Sequence, residues 1–154
     1  MTNPATVNLQ LPNGADDDPD PEPRCEDTPY QRHAPGIYEA RCITTKVYRD
    51  PRFKRWVLRL EFQLWPPDGR HAFGFLNLGT RAKPSAGRGS EYRRAWIIAS
   101  GDQPRKRQTM SSRVFKDKVF QVRIGDTATK HDGRKHLEVE IYSSVKEIIT
   151  RVWP

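Results

Sequence analysis

The 154 residues of the chain fit one domain, and a hydrophobic content of 35 % is too low for all of it to pack into a core. Its net charge of +8, from 27 basic and 19 acidic residues, favours acidic partners, and no stretch approaches the roughly 20 apolar residues that span a bilayer. Two cysteines, Cys25 and Cys42, make no disulfide framework and indicate a reducing compartment; with no basic start followed by an apolar run, a cytoplasmic location is expected.

Residues 1–34 read as a disordered, acidic, proline-rich tail ahead of a folded domain over residues 35–154. From Met1 to Tyr30, Asp16, Asp17, Asp18, Asp20, Glu22, Glu26 and Asp27 stand against a single Arg24, and Pro4, Pro12, Pro19, Pro21, Pro23 and Pro29 deny the segment a helix or a sheet ladder. Setting aside these seven acids and one base leaves 26 bases against 12 acids, a net +14 on residues 31–154. A domain this basic suits a polyanion, because released counterions favour phosphate contact; a generally basic, soluble surface is the plain alternative.

The first strand is expected over Gly36 to Tyr48 and the second over Arg55 to Trp65. In the second, Trp56, Leu58, Leu60, Phe62 and Leu64 face one way and Val57, Arg59, Glu61, Gln63 and Trp65 the other, the alternation of a strand with one buried face. Pro66, Pro67, Asp68, Gly69 and Arg70 then make a turn in which Asp-Gly accepts positive φ, so the third strand, His71 to Gly79, pairs antiparallel with the second. Phe73, Phe75 and Asn77 share one side of it, and Gly74 between the phenylalanines marks a bulge or a close approach to the backbone.

A helix follows over Glu91 to Ser100, with Ser90 as N-cap, Glu91 in the first turn and Gly101 just past the end. Tyr92, Ala95, Trp96 and Ala99 form an apolar stripe that belongs in the core. The fourth strand, Lys118 to Thr127, points Phe120, Val122 and Ile124 inward. The fifth, His136 to Val152, is expected to do the same with Leu137, Val139 and Ile141, after a turn at His131, Asp132, Gly133 and Arg134.

Three strands, one helix and two strands describe an all-β domain with one helix, in the element order of an OB-fold-like five-stranded Greek-key barrel with its helix between strands 3 and 4. That fold commonly binds single strands on the outer face of strands 2 and 3 and its flanking loops, so Arg59, Trp65, Phe73 and Phe75 are candidate contacts. Both flanking loops are basic. The loop between strands 1 and 2 contains Tyr48, Arg49, Arg52, Phe53, Lys54 and Arg55, and that between strands 4 and 5 contains Lys130, Arg134 and Lys135. Flat rings for bases beside cations for phosphates are what sequence-tolerant strand binding requires, although Phe53 could equally cap the core. Arg81 and Lys83 before the helix, and Arg105, Lys106 and Arg107 after it, are auxiliary candidates or solvated loops.

The segment Lys83 to Ser90 is glycine-rich but lacks the Gly-Lys-Ser or Gly-Lys-Thr of a phosphate-binding loop. His131 and His136 do not reproduce a paired metal-ligand spacing, so neither metal nor cofactor is expected. Asp126, Glu138, Glu140 and Lys146 could be drafted as a nuclease centre. Yet Glu138 and Glu140 alternate on what reads as a solvated strand face, and no nucleophile has a partner that spacing can assign; a non-enzymatic protein is expected.

Tyr92, Ala95, Trp96, Ile98, Ala99, Gly101 and Pro104, then Met110, Ser111, Phe115, Lys118 and Phe120, and later Tyr142, Ser143 and Val145 carry a resemblance outside the tail. The chain resembles proteins carried by bacterial plasmids, phages and integrative elements. The resemblance implies an OB-like, single-strand-binding accessory protein of a mobile element and brings no catalytic residue. The expected partner is single-stranded DNA, with RNA as an option and a protein partner for the acidic tail. The rival expectation is an adaptor that docks a replication or conjugation protein.

Overall fold

The computed structural model describes residues 30–130 and 133–153. The expectation of a disordered tail falls almost wholly on residues 1–29, outside the described residues. Among the described residues, five strands, β1 (Gly36–Asp50), β2 (Arg55–Leu64), β3 (His71–Asn77), β4 (Val119–Thr127) and β5 (Tyr142–Trp153), form one sheet with one α-helix, α1 (Glu91–Ser100). They hydrogen-bond in the order β1-β2-β3-β5-β4, and β4 returns to β1. The length of β1 makes this circuit possible: residues from Gly36 to Arg41 pair with β4, while Ala40 to Asp50 pair with β2 across a register shift between Cys42 and Thr44.

The remaining join is short. β3 and β5 run parallel and pair only at Phe73 with Ser144 and Gly74 with Val145. A Cβ on Gly74 would lie 3.3 Å from the Val145 Cβ and 3.5 Å from the Phe62 ring, so the glycine serves a close approach between strands rather than a bulge; β2 and β3 stay in unbroken register past it.

The inward residues of the alternation meet as expected. Leu58, Leu60, Phe62 and Leu64 pack with Ala72, Phe120, Val122 and Ile124, and α1 adds Tyr92, Ala95, Trp96 and Ala99 to the same core. Ser90 Oγ accepts the Arg93 N–H at the start of the helix, and Gly101, at φ 86°, ends it by donating to the Ile97 carbonyl. The Ala99 carbonyl, which has no partner within the helix, accepts from Lys118 Nζ at 2.9 Å and from Arg151 at 3.0 Å. No described helix is long and apolar enough to cross a membrane.

Expected strand boundaries are corrected. β1 runs to Asp50 rather than Tyr48, so Arg49, expected in the loop to β2, is a strand residue and that loop is residues 51–54; β2 stops at Leu64 and β3 at Asn77. β5 begins at Tyr142 rather than His136, because Glu138–Glu140 is a 3-10 turn. There the Glu140 carboxylate accepts the Leu137 N–H at 2.7 Å and the Glu140 N–H donates back to the Leu137 carbonyl. Leu137, expected inside, is 69 % exposed. In the turn before it, Lys130 and Arg134 are hydrogen-bonded through their backbones; His131 and Asp132 lie outside the described residues.

Candidate functional site

Alternation along β2 and β3 sets Val57, Arg59, Glu61 and Gln63, and His71, Phe73, Phe75 and Asn77, on the outside of the sheet, with Phe73 opposite Glu61 and Phe75 opposite Arg59. The Arg59 guanidinium lies 5.3 Å from the centre of the Phe73 ring. A third ring comes from the first residue of β5 and a fourth from the chain ahead of β1. Tyr30 stacks on Tyr142 with centroids 4.8 Å apart and planes at 20°, and meets Phe73 edge-on at 5.2 Å and Phe75 at 6.4 Å. Covered by Tyr30 and Arg59, Phe73 is only 4 % exposed, whereas Phe75 remains 36 % exposed.

At one edge of these rings the β1–β2 loop is closed by Asp50. Its buried carboxylate accepts the Arg52 N–H at 2.9 Å and the Arg52 side chain at 3.3 and 3.4 Å. Burial would raise the Asp50 pKa, but these bonds and the charges of Arg52 and Arg55 outweigh it, and the carboxyl titrates below its ordinary value. Phe53 does not cap the core: it is 42 % exposed, with the Arg55 and Arg52 guanidinia 4.8 and 5.7 Å from its centre.

Burial raises the Tyr48 pKa, as do the nearby Asp50 and Tyr30, against the opposing charges of Arg59 and Arg52. Tyr142 is also raised, first by burial and then by Tyr30, with the Arg52 charge opposing. The same rings and guanidinia therefore share one electrostatic environment. Arg49 packs over Trp56 at 5.6 Å and donates to the Arg81 carbonyl, which also accepts Trp56 Nε1, so the segment after β3 rests on the strand ends beside the β1–β2 loop.

On the other side, the β4–β5 loop touches the cluster through His136, 6.0 Å from the Tyr142 ring. Lys130 is engaged with Glu140 at 3.6 Å, while Arg134 and Lys135 are exposed.

The structure thus gathers Tyr48, Arg52, Phe53, Arg55, Arg59, Phe73 and Phe75 on and beside one face, with Arg49, Lys54, Arg81, Lys130, Arg134 and Lys135 on flanking segments. Lys83 instead lines a groove with Val47, Leu78, Tyr92 and Met110. Trp65 is elsewhere: β2 stops at Leu64, and Trp65, expected to close that strand, lies in the β2–β3 turn, where its N–H donates to the Glu39 carbonyl and its side chain is 64 % exposed. Arg105, Lys106 and Arg107 follow α1, and Arg105 lines a pocket with Trp96 and Ser100 of that helix rather than joining the aromatic cluster. Two residues not named as candidates complete the cluster: Tyr142, which alternation sets opposite the expected inward face of the fifth strand, and Tyr30. Tyr30 is the only phenylalanine, tyrosine or tryptophan among residues 1–34, and that solitary ring was the available signal.

The acids considered for a nuclease centre are otherwise engaged. Arg32 binds Asp126 at 3.0 Å and Glu138 at 2.8 Å, and Glu140 caps Leu137. Among the described residues no group of three or more metal-ligating side chains occurs. No protein-family model and no curated protein matches the chain.

Proposed function

We propose that the chain binds single-stranded nucleic acid, DNA ahead of RNA, through the outer face of β2 and β3, and performs no chemistry on it. The observation that carries this reading is the cluster of Phe73, Phe75, Tyr142 and Tyr30 with Arg59 among them, set between two basic loops on the outside of the sheet rather than in the core. Rings offer every base a π-face, and the loop cations can track phosphates without reading sequence. The strand circuit β1-β2-β3-β5-β4, with α1 between β3 and β4, supports an OB-fold barrel, whose ligands commonly bind on this face. The resemblance to mobile-element accessory proteins fits a cytoplasmic role in replication, transfer or recombination of such an element.

An adaptor that docks a replication or conjugation protein is the second reading. Trp65 and Ile37 favour it, two large apolar side chains 64 % and 63 % exposed, near the β2–β3 turn and on β1.

Fluorescence anisotropy of a labelled oligothymidylate at low and high salt separates the two. Nucleic-acid binding gives an affinity that falls with salt by about 0.7 logarithmic units per unit of log salt for each phosphate contacted. No binding at low salt, or binding indifferent to salt, overturns the proposal in favour of the adaptor.

A further inference from the structure

The candidate face is partly covered by the chain itself. Residues 31–33 are fastened across the gap between the starts of β3 and β5, where those strands share only two paired positions. On the β3 side, the Gln31 side chain accepts the His71 N–H at 2.8 Å and His33 Nε2 lies 2.7 Å from the His71 carbonyl oxygen. On the β5 side, the Ser143 N–H donates to the Gln31 carbonyl at 2.8 Å, and Ser143 Oγ accepts the His33 N–H at 2.6 Å. Arg32 adds its ion pairs to Asp126 and Glu138. This strap supplies hydrogen bonds that the short β3–β5 ladder lacks, and its bonds are made by residues 31–33.

The Tyr30 ring does something different. It lies on the outer face, nearly parallel to Tyr142 at 4.8 Å, with Phe73 and Phe75 meeting it edge-on. Near-parallel stacking on one ring, bounded by the edges of two more, is the environment in which single-strand-binding proteins hold a base. Moreover, the strap fixes the backbone from Gln31 onward, so the Tyr30 side chain can leave Tyr142 while those bonds persist.

Resting on the single-strand reading, we propose that Tyr142, Phe73 and Phe75 form a slot for one nucleobase and that Tyr30 is its internal stand-in, displaced when a base enters. Binding is then an exchange of one aromatic ring for another. The slot contributes to affinity only the difference between the two, and the wild-type chain binds more weakly than its bare platform would.

Anisotropy of a labelled oligothymidylate with the full chain and with the variants Tyr30→Ala, Tyr30→Phe and Tyr142→Ala tests this. Tyr30→Ala is expected to tighten binding by up to ~5- to 160-fold, the range of one stack removed, and by the same factor at low and high salt because a stack carries no charge. Tyr30→Phe retains the stacking ring and is expected to gain less than Tyr30→Ala. Tyr142→Ala weakens binding and abolishes the gain from Tyr30→Ala in the double variant. Equal or weaker binding by folded Tyr30→Ala overturns the stand-in and makes Tyr30 an anchor or part of the platform, while wild-type binding leaves the single-strand reading intact. Absence of binding by the wild type and every variant removes both.

A readout on the wild-type fold guards against a variant that fails to fold. In a chain labelled with 3-fluorotyrosine, the Tyr30 fluorine resonance, assigned by its absence in Tyr30→Phe, moves to the position of a solvent-exposed tyrosine at saturating oligonucleotide. A Tyr30 resonance that stays in place at saturation overturns the exchange.

Discussion

Phe73 and Phe75 lie two positions apart on the same side of β3, yet one is 4 % and the other 36 % exposed. The difference comes from what covers them: Phe73 has Arg59 over its face and Tyr30 against it, while Phe75 keeps an open surface beyond its longer contact with Tyr30. The two alanine variants should therefore fail in different ways. Phe75→Ala is expected to lose about 1 to 3 kcal/mol of oligonucleotide binding with its melting temperature nearly kept. Phe73→Ala empties a covered site and is expected to lose about 3 kcal/mol of stability. Anisotropy and thermal denaturation on each protein check the pair, and a Phe75→Ala variant that binds like the wild type would take Phe75 out of the interface. Alternation in the sequence was enough to put both rings on one face. It could not show that Phe73 is covered, since Tyr30 is 43 positions away in sequence and belongs by composition to the acidic tail.

Among the elements, the β1–β2 loop and the strand ends beside it show how cations of one run divide by task. Arg52 is committed to the buried Asp50 carboxylate and Arg49 to the Arg81 carbonyl, whereas Lys54 is exposed at a φ of 50° and Arg55 lies against the exposed Phe53. Replacing Lys54 and Arg55 with alanine is expected to flatten the salt dependence of binding by about 0.7 for each phosphate the variant no longer neutralises, with the melting temperature preserved. Arg52→Ala should in addition lower the melting temperature, because it leaves a buried carboxylate without its side-chain partner. An unchanged slope in the Lys54 and Arg55 variant would move the phosphate contacts to another loop. Clean period-two alternation made β2 legible, and its cap and stop signals did the same for α1. The start of β5 misled for the same physical reason: Leu137, Val139 and Ile141 alternate like a strand, but the reciprocal bonds between Leu137 and Glu140 fold them into a 3-10 turn. So short an alternating pattern contains no sign of which backbone bonds will win.

For the molecule as a whole, an excess of cations supplies partners to several of the described carboxylates. Arg94 and Arg123 hold Glu147 below its ordinary pKa, Arg70 does so for Asp68, and the Leu137 N–H does so for Glu140. With folded values depressed, these groups add stability that is present above the unfolded carboxylate range near pH 4 and is lost as pH falls through the folded values. The melting temperature should accordingly hold between about pH 7 and pH 5 and drop below about pH 4, with Glu147→Gln reducing the drop; a transition temperature that rises on acidification would contradict the assignment. Closure of the sheet was only partly legible, since the sequence reveals the length of β1 but not its pairing on both sides, nor the strap that spans β3 and β5. Whether a single strand lies across the outer face of β2 and β3 is read most immediately by amide chemical-shift mapping of the isotope-labelled chain during an oligothymidylate titration. Shifts are expected to concentrate at Phe73, Phe75, Tyr142 and the loops at 49–55 and 133–135. Shifts gathered instead around Trp65 and Ile37, or around Arg105 to Arg107, or none at saturating oligonucleotide, would contradict strand binding on this face.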